Sequence, residues 1–192
     1  EIKVSTATKD AEKLSEMGFL AVNDRTWDVA IKNFETSLLI RQGDVPTLLG
    51  LAEAYLNSQN LKKALSVLYK VLMIDPNNIN AMLLQVQCYE VKRSYGKAKN
   101  SLQENLNDST VDKQTRVKVQ RRLEEITAKE DQLRIGKSLE LQALDCLENG
   151  DLSGAYEYYS KAIKSDPEDS HLLYERSKLL VKLHKLESAL EE

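Results

Sequence analysis

Proline and glycine are scarce in this 192-residue chain, at three and seven residues, so it has little of the turn chemistry that many short strands require. With 42% hydrophobic and 30% charged residues it can still bury a core, and the pattern points to helices. No apolar run approaches the ~18 residues of a membrane span, and the opening Glu-Ile-Lys-Val-Ser-Thr lacks the charged-then-apolar layout of a signal peptide. The expected compartment is the cytoplasm, with the nucleus and the ER lumen as open alternatives, and no membrane partner is expected. The chain begins without Met and stops inside a helical pattern, which reads as a fragment of something longer.

Cysteine is equally sparse. Cys88 and Cys146 lie far apart, with no Cys-x-x-Cys and no His beside either, so neither a metal site nor a disulfide framework is expected and both read as buried structural thiols. A formal net charge of −3, with both signs interspersed, supplies no field for nucleic acid. Catalytic groups are missing as well. His171 and His184 neighbour no Cys or serine elbow, and no Gly-rich phosphate loop exists, so the chain reads as no enzyme, with no cofactor.

What is present is a period. Ala30, Ala64 and Ala98 are spaced 34 apart, as are Ala155 and Ala189. Phe34, Leu68, Leu102 and Tyr159 follow their alanines by four residues, one turn along the same helical face. A small residue beside a large one lets two helices approach closely. The best-formed unit has Leu48, Leu51, Ala52 and Tyr55 on one helix, a turn at Asn57-Ser-Gln-Asn60, and Leu61, Ala64, Leu65, Leu68, Val71 and Leu72 on a second helix that ends at Asp75-Pro76.

These residues resemble the tetratricopeptide-repeat (TPR) family, whose units pair a helix bearing bulky, small and Tyr positions with one bearing Ala, an aromatic and a closing Pro. Leu14, Met17, Gly18, Ala30 and Phe34 match in the first unit, Met82, Tyr89, Ala98 and Leu102 in the third. Leu139, Ala143, Ala155, Tyr159, Ala162 and Pro167 fit a fourth, and Leu173, Ser177, Leu180 and Ala189 begin a fifth. Gln85 and Val86 depart from the pattern, so looser packing is expected in the third unit. The resemblance implies an all-α solenoid of hairpins wound as a right-handed superhelix.

From Ala98 to Ala155 the step is 57 rather than 34, which leaves 23 residues over, placed between Leu106 and Gly136. The expected division is 1–107 as three hairpins, 108–135 as an inserted charged helix or linker, and 136–192 as a second block of one full and one truncated hairpin. Val111 to Ile135 is free of Pro and Gly, with Val119, Leu123, Ile126 and Leu133 near one helical face, and it can run straight into the fourth unit as one long helix. Lys113, Arg116, Lys118, Arg121 and Arg122 are followed at once by Glu124, Glu125, Glu130 and Asp131, the pattern of a solvated face with intrahelical ion pairs.

The family resemblance places ligands on the concave face of the first helices. Residue by residue, that face is Ser15, Phe19, Val22 and Asn23; then Leu49, Glu53, Leu56 and Asn57; then Leu83, Gln87, Glu90 and Val91; and, in the last units, Tyr174, Lys178 and Lys182 among others. This groove mixes apolar and amide groups and implies a protein or peptide partner, an amphipathic helix or an extended apolar segment. A TPR subset clamps the acidic C-termini of chaperones with Lys, Asn and Arg at set places. Here Phe19, Gly50, Asn80, Leu84, Glu140 and Leu144 fall at such places, so a carboxylate would face apolar groups or another carboxylate. The expected function is a non-catalytic interaction scaffold; the alternative is a co-chaperone or holdase for unfolded apolar segments.

Overall fold

The computed structural model describes the backbone of residues 2–109 and 111–191 and the side chains of residues 6–109 and 111–184. Among these, every regular element is an α-helix: α1 (Ile2–Asn23), α2 (Trp27–Ile40), α3 (Val45–Asn57), α4 (Leu61–Ile74), α5 (Ile79–Val91), α6 (Tyr95–Asn107), α7 (Lys113–Glu148), α8 (Leu152–Ser165) and α9 (Ser170–Glu191). None is long and apolar enough to cross a membrane. The chain divides into two units, Glu1–Ile126 and Thr127–Glu192, with the division falling inside α7.

Local chemistry starts and stops these helices. Asp44 caps α3 by accepting from the Thr47 N–H at 3.2 Å, Asn78 caps α5 through the Ala81 N–H at 3.0 Å, and Asp151 caps α8 through the Gly154 N–H at 2.8 Å. Inside each hairpin one turn recurs. Arg25 (φ 57°), Gln59 (φ 63°), Arg93 (φ 52°) and Gly150 (φ 78°) are left-handed. The residue after each donates its N–H back to the carbonyl five earlier, as in Thr26 to Ala21 (2.9 Å) and Asn60 to Tyr55 (2.8 Å). This is the Schellman closure, which satisfies helix-end carbonyls and reverses the chain.

In the first unit, the pairs α1 and α2, α3 and α4, and α5 and α6 pack as hairpins, and successive hairpins stack through α2 on α3 and α4 on α5. The repeat alanines Ala30, Ala64 and Ala98 and their partners Phe34, Leu68 and Leu102 are all fully buried. Phe34 is wedged between helices: a Cβ built on Gly18 of α1 would lie 2.5 Å from its ring, and one on Gly50 of α3 would lie 2.7 Å away. Ser37 Oγ donates to the Ala11 carbonyl at 2.7 Å, tying α2 to α1. Gln85 is buried and accepts from Ser101 Oγ at 2.8 Å, so the polar departure in the third unit is hydrogen-bonded. That unit is nonetheless lighter: α6 buries only Ala98 and Leu102, where α4 buries five side chains. Cys88 is buried on α5, and burial pushes its thiol up to about 11.

The opening half of α7 completes this unit. Val119 and Ile126 are fully buried in its core, with Leu123 packed against them. The Arg116 guanidinium donates to the Leu106 and Asp108 carbonyls, both at 3.0 Å, covering the end of α6. Arg122 pairs with Glu90 and with Glu125, and Arg121 with Glu125, so these cations act as ion-pair partners.

The second unit has its own core of Ala143, Ala155, Tyr159, Ala162, Leu172 and Leu179, with half-buried Cys146 packed against it. Tyr159 is fully buried, yet its hydroxyl has no hydrogen-bond partner among the described residues. An unsatisfied buried hydroxyl costs about 1–3 kcal/mol. Tyr159→Phe is therefore expected to leave thermal unfolding of α8, followed by amide hydrogen exchange, unchanged or shifted up by as much as about 1 kcal/mol. A loss larger than that would show that the hydroxyl is satisfied in solution. The side chains of Leu186, Ala189 and Leu190, assigned to the fifth unit, lie outside the described residues.

Candidate functional site

Three first helices, α1, α3 and α5, touch in sequence, and where they meet they leave a cleft of ≈ 500 Å³. Five of the residues assigned to the concave face line it: Phe19, Leu49, Glu53, Leu83 and Gln87. Phe19 is 39% exposed. It stands edge-on to buried Phe34, with centroids 5.0 Å apart and planes at 71°, a favourable aromatic geometry that fixes the cleft wall to the core. Leu49 and Leu83 are half-buried, and Leu49 has one side against the core and the other on the cleft.

The remaining walls are Pro46, Gly50, Asn80 and Leu84. Their signal in the sequence is the set of clamp places, at which Gly50, Asn80 and Leu84 already fall. A side chain at 50 would meet both Phe34 and, at 2.9 Å, Phe19, so only glycine leaves this floor open. The lining carries one carboxylate, Glu53, and neither Lys nor Arg. It can take up apolar side chains and offer amide and carboxylate acceptors to their backbone, but it has no cation to neutralise an acidic terminus.

Other residues assigned to the groove lie elsewhere. Val22 and Leu56 pack against the core, because each sits close to its hairpin turn, where the second helix covers it. Ser15 is buried and shares a 2.7 Å hydrogen bond with Thr47 Oγ1, joining α1 to α3. Asn57 folds back on its own helix, donating Nδ2 to the Glu53 carbonyl at 3.0 Å. Asn23 and Val91 are exposed at helix ends, away from the cleft lining. Tyr174, Lys178 and Lys182 are exposed on α9 in the second unit. There Lys178 lies 5.7 Å from the Tyr174 ring centroid and 3.2 Å from Glu175. His171 Nε2 is 3.4 Å from Glu140.

Residues 45–78, the second hairpin and its closing turn, match the family model described as tetratricopeptide repeat. In fold the chain is similar to the TPR domain of Arabidopsis OM64, at 20% identity and a TM-score of 0.53, over 62% of this chain and 98% of that one. The type III secretion translocator chaperone SycD of Yersinia enterocolitica aligns at 20% identity and 0.53, over 62% and 85%. The first TPR domain of human RPAP3 aligns at 14% and 0.53, over 65% and 97%. No curated protein sequence matches the chain.

Proposed function

We propose that this chain, which matches the tetratricopeptide-repeat model at residues 45–78 and resembles TPR domains in fold, is a non-catalytic scaffold that binds an apolar segment of a partner protein in the α1/α3/α5 cleft. The observation that carries this reading is the cleft itself. Phe19, Leu49 and Leu83, from three successive hairpins, present apolar surface to one opening, next to the polar ends of Glu53, Asn80 and Gln87. An amphipathic helix or extended strand is recognised by such a combination: apolar anchors supply affinity and flanking polar groups set orientation.

The test uses a peptide selected from a random library against the whole chain. Leu49→Glu is expected to weaken that peptide by at least about 1.4 kcal/mol, a factor of ten, while the unfolding midpoint stays close to wild type. The new carboxylate reaches water through the cleft mouth, so it avoids the several kcal/mol that a buried unpaired charge costs. A collapsed midpoint would place Leu49 in the core, and unchanged affinity with an unchanged midpoint would remove the cleft as the site.

The resemblance to SycD in fold, with a lining that lacks a cation, also suits a holdase for unfolded apolar segments. Selection separates the two readings: a scaffold enriches one peptide pattern, a holdase many unrelated apolar ones.

A further inference from the structure

The opposite side of the first unit carries a larger opening. The first helices touch one another along the stack, but α2 and α4 have no comparable contact. Between them lies a cleft of ≈ 850 Å³ whose floor is α3. Leu48, Leu51 and Tyr55 form that floor, and Leu38 and Val67 stand on the walls. At one end Leu39 is 77% exposed. Leu48, Leu51, Tyr55 and Val67 are themselves buried, so the accessible apolar surface on this side, away from the α1/α3/α5 cleft, is chiefly that of Leu38 and Leu39.

Its charge has the opposite sign. Lys32 projects from α2, and Lys63 and Lys70 from α4, all lining this one cleft and all exposed. Lys63 and Lys70 are seven residues apart, about 10 Å along the helix. None of the three is in an ion pair among the described residues. Lys63 Nζ lies 5.2 Å from the Tyr55 ring centroid. The single carboxylate of the lining, Glu35, is already occupied as acceptor for the Tyr55 hydroxyl. Burial, and then Glu35, push that hydroxyl far above its ordinary range, so it stays a donor. Three like charges thus gather around an apolar floor in a chain whose net charge is −3.

We propose that the α2/α4 cleft is a second docking site and that it takes an acidic peptide segment bearing apolar side chains. Carboxylates two helical turns apart would meet Lys63 and Lys70, and apolar Leu or Phe side chains of the same segment would cover Leu38 and Leu39. Charge complementarity of this kind supplies orientation and association rate as well as affinity. A peptide fits better than an anionic membrane, because the cations stand on two walls of a recess that a planar lipid surface cannot enter. The two clefts would then sort partner segments by charge, acidic ones to the lysine-lined side and neutral apolar ones to the other.

The probe is a labelled peptide of about 14 residues built from Glu, Asp, Leu and Phe, compared by fluorescence anisotropy with a copy in which Lys replaces every acid, at low and at raised salt. On the whole chain the acidic peptide should bind at least about tenfold more tightly than its lysine copy and weaken with salt. Lys63→Glu and Lys70→Glu should each weaken it by about tenfold or more, whereas Lys62→Glu and Leu49→Glu should change it by less than about twofold. Lys62 is the informative control: it is adjacent to Lys63, also exposed and outside the cleft lining, and its substitution makes the same change in net charge. Equal binding of the two peptides would overturn the proposal. So would equal losses at Lys62 and Lys63, which would mean unspecific attraction, or a loss at Leu49→Glu, which would place the peptide in the other cleft. Binding of phosphatidylserine vesicles that depends on Lys63, without binding of the peptide, would overturn it in favour of a lipid surface.

Discussion

Phe34→Ala is expected to lower the stability of the first unit by about 3–5 kcal/mol, at the upper end of that range. The ring is fully buried, and the cost of deleting it depends on how far its surroundings can close over the space. Here two of those surroundings are Gly18 and Gly50, which have no side chain to turn inward and stand so close that a Cβ on either would lie 2.5 or 2.7 Å from the ring. The void can shrink only if whole helices move. Those helices carry Phe19 and Leu49, so the α1/α3/α5 cleft should change shape with them, and a peptide bound there should weaken alongside the loss of stability. Trp27, the single tryptophan, lies at the start of α2 and lets denaturant unfolding of this unit be followed by fluorescence. A loss below about 1 kcal/mol would show that Phe34 is not the wedge between the helices.

Adding atoms on the other side of the same contact should also destabilise. Gly18→Leu places a Cβ 2.5 Å from the Phe34 ring, with three more carbons behind it. Leucine is the better helix former by up to about 1 kcal/mol, so propensity alone would stabilise α1. Overpacking of a closed core costs about 1–3 kcal/mol, and the upper end applies because the ring is fully buried and α3 also comes close to it at Gly50. The net expectation is a loss of about 2 kcal/mol, read from Trp27 fluorescence. Gly96 provides the contrast: nothing lies within 4 Å of a Cβ added there, so Gly96→Leu should be neutral or slightly stabilising. If both substitutions shift the midpoint in the same direction, the Gly18 contact is not what limits the packing.

The 34-residue spacing of Ala30, Ala64 and Ala98, each followed four residues on by a large side chain, was sufficient to place the hairpins. A helix shows its buried face through periodicity, and every one of those six residues is buried. The family resemblance put Phe19, Leu49 and Leu83 on one face, and they line one cleft. The intrahairpin turns were less legible. In the first unit their left-handed residues are Arg25, Gln59 and Arg93, and only the second unit has the expected glycine, Gly150, so in the first the Schellman hydrogen bonds impose the conformation instead.

By itself, then, the sequence determined which residues face a neighbouring helix, because 3.6-residue periodicity and the small-large pairing are local properties of the chain. Which neighbour each residue meets was decided only in three dimensions. Ser15 occupies a position in sequence like those of groove residues, yet it is buried because Thr47, 32 residues away, comes within hydrogen-bond distance. The α2/α4 cleft has no periodic signature at all. It exists because first helices touch along the stack while α2 and α4 do not, and Lys32 on α2 and Lys63 and Lys70 on α4, which share no motif in the sequence, become one positive surface only when that gap is built. Helix separation depends on the summed size of side chains from several segments, a quantity that no local window of sequence contains.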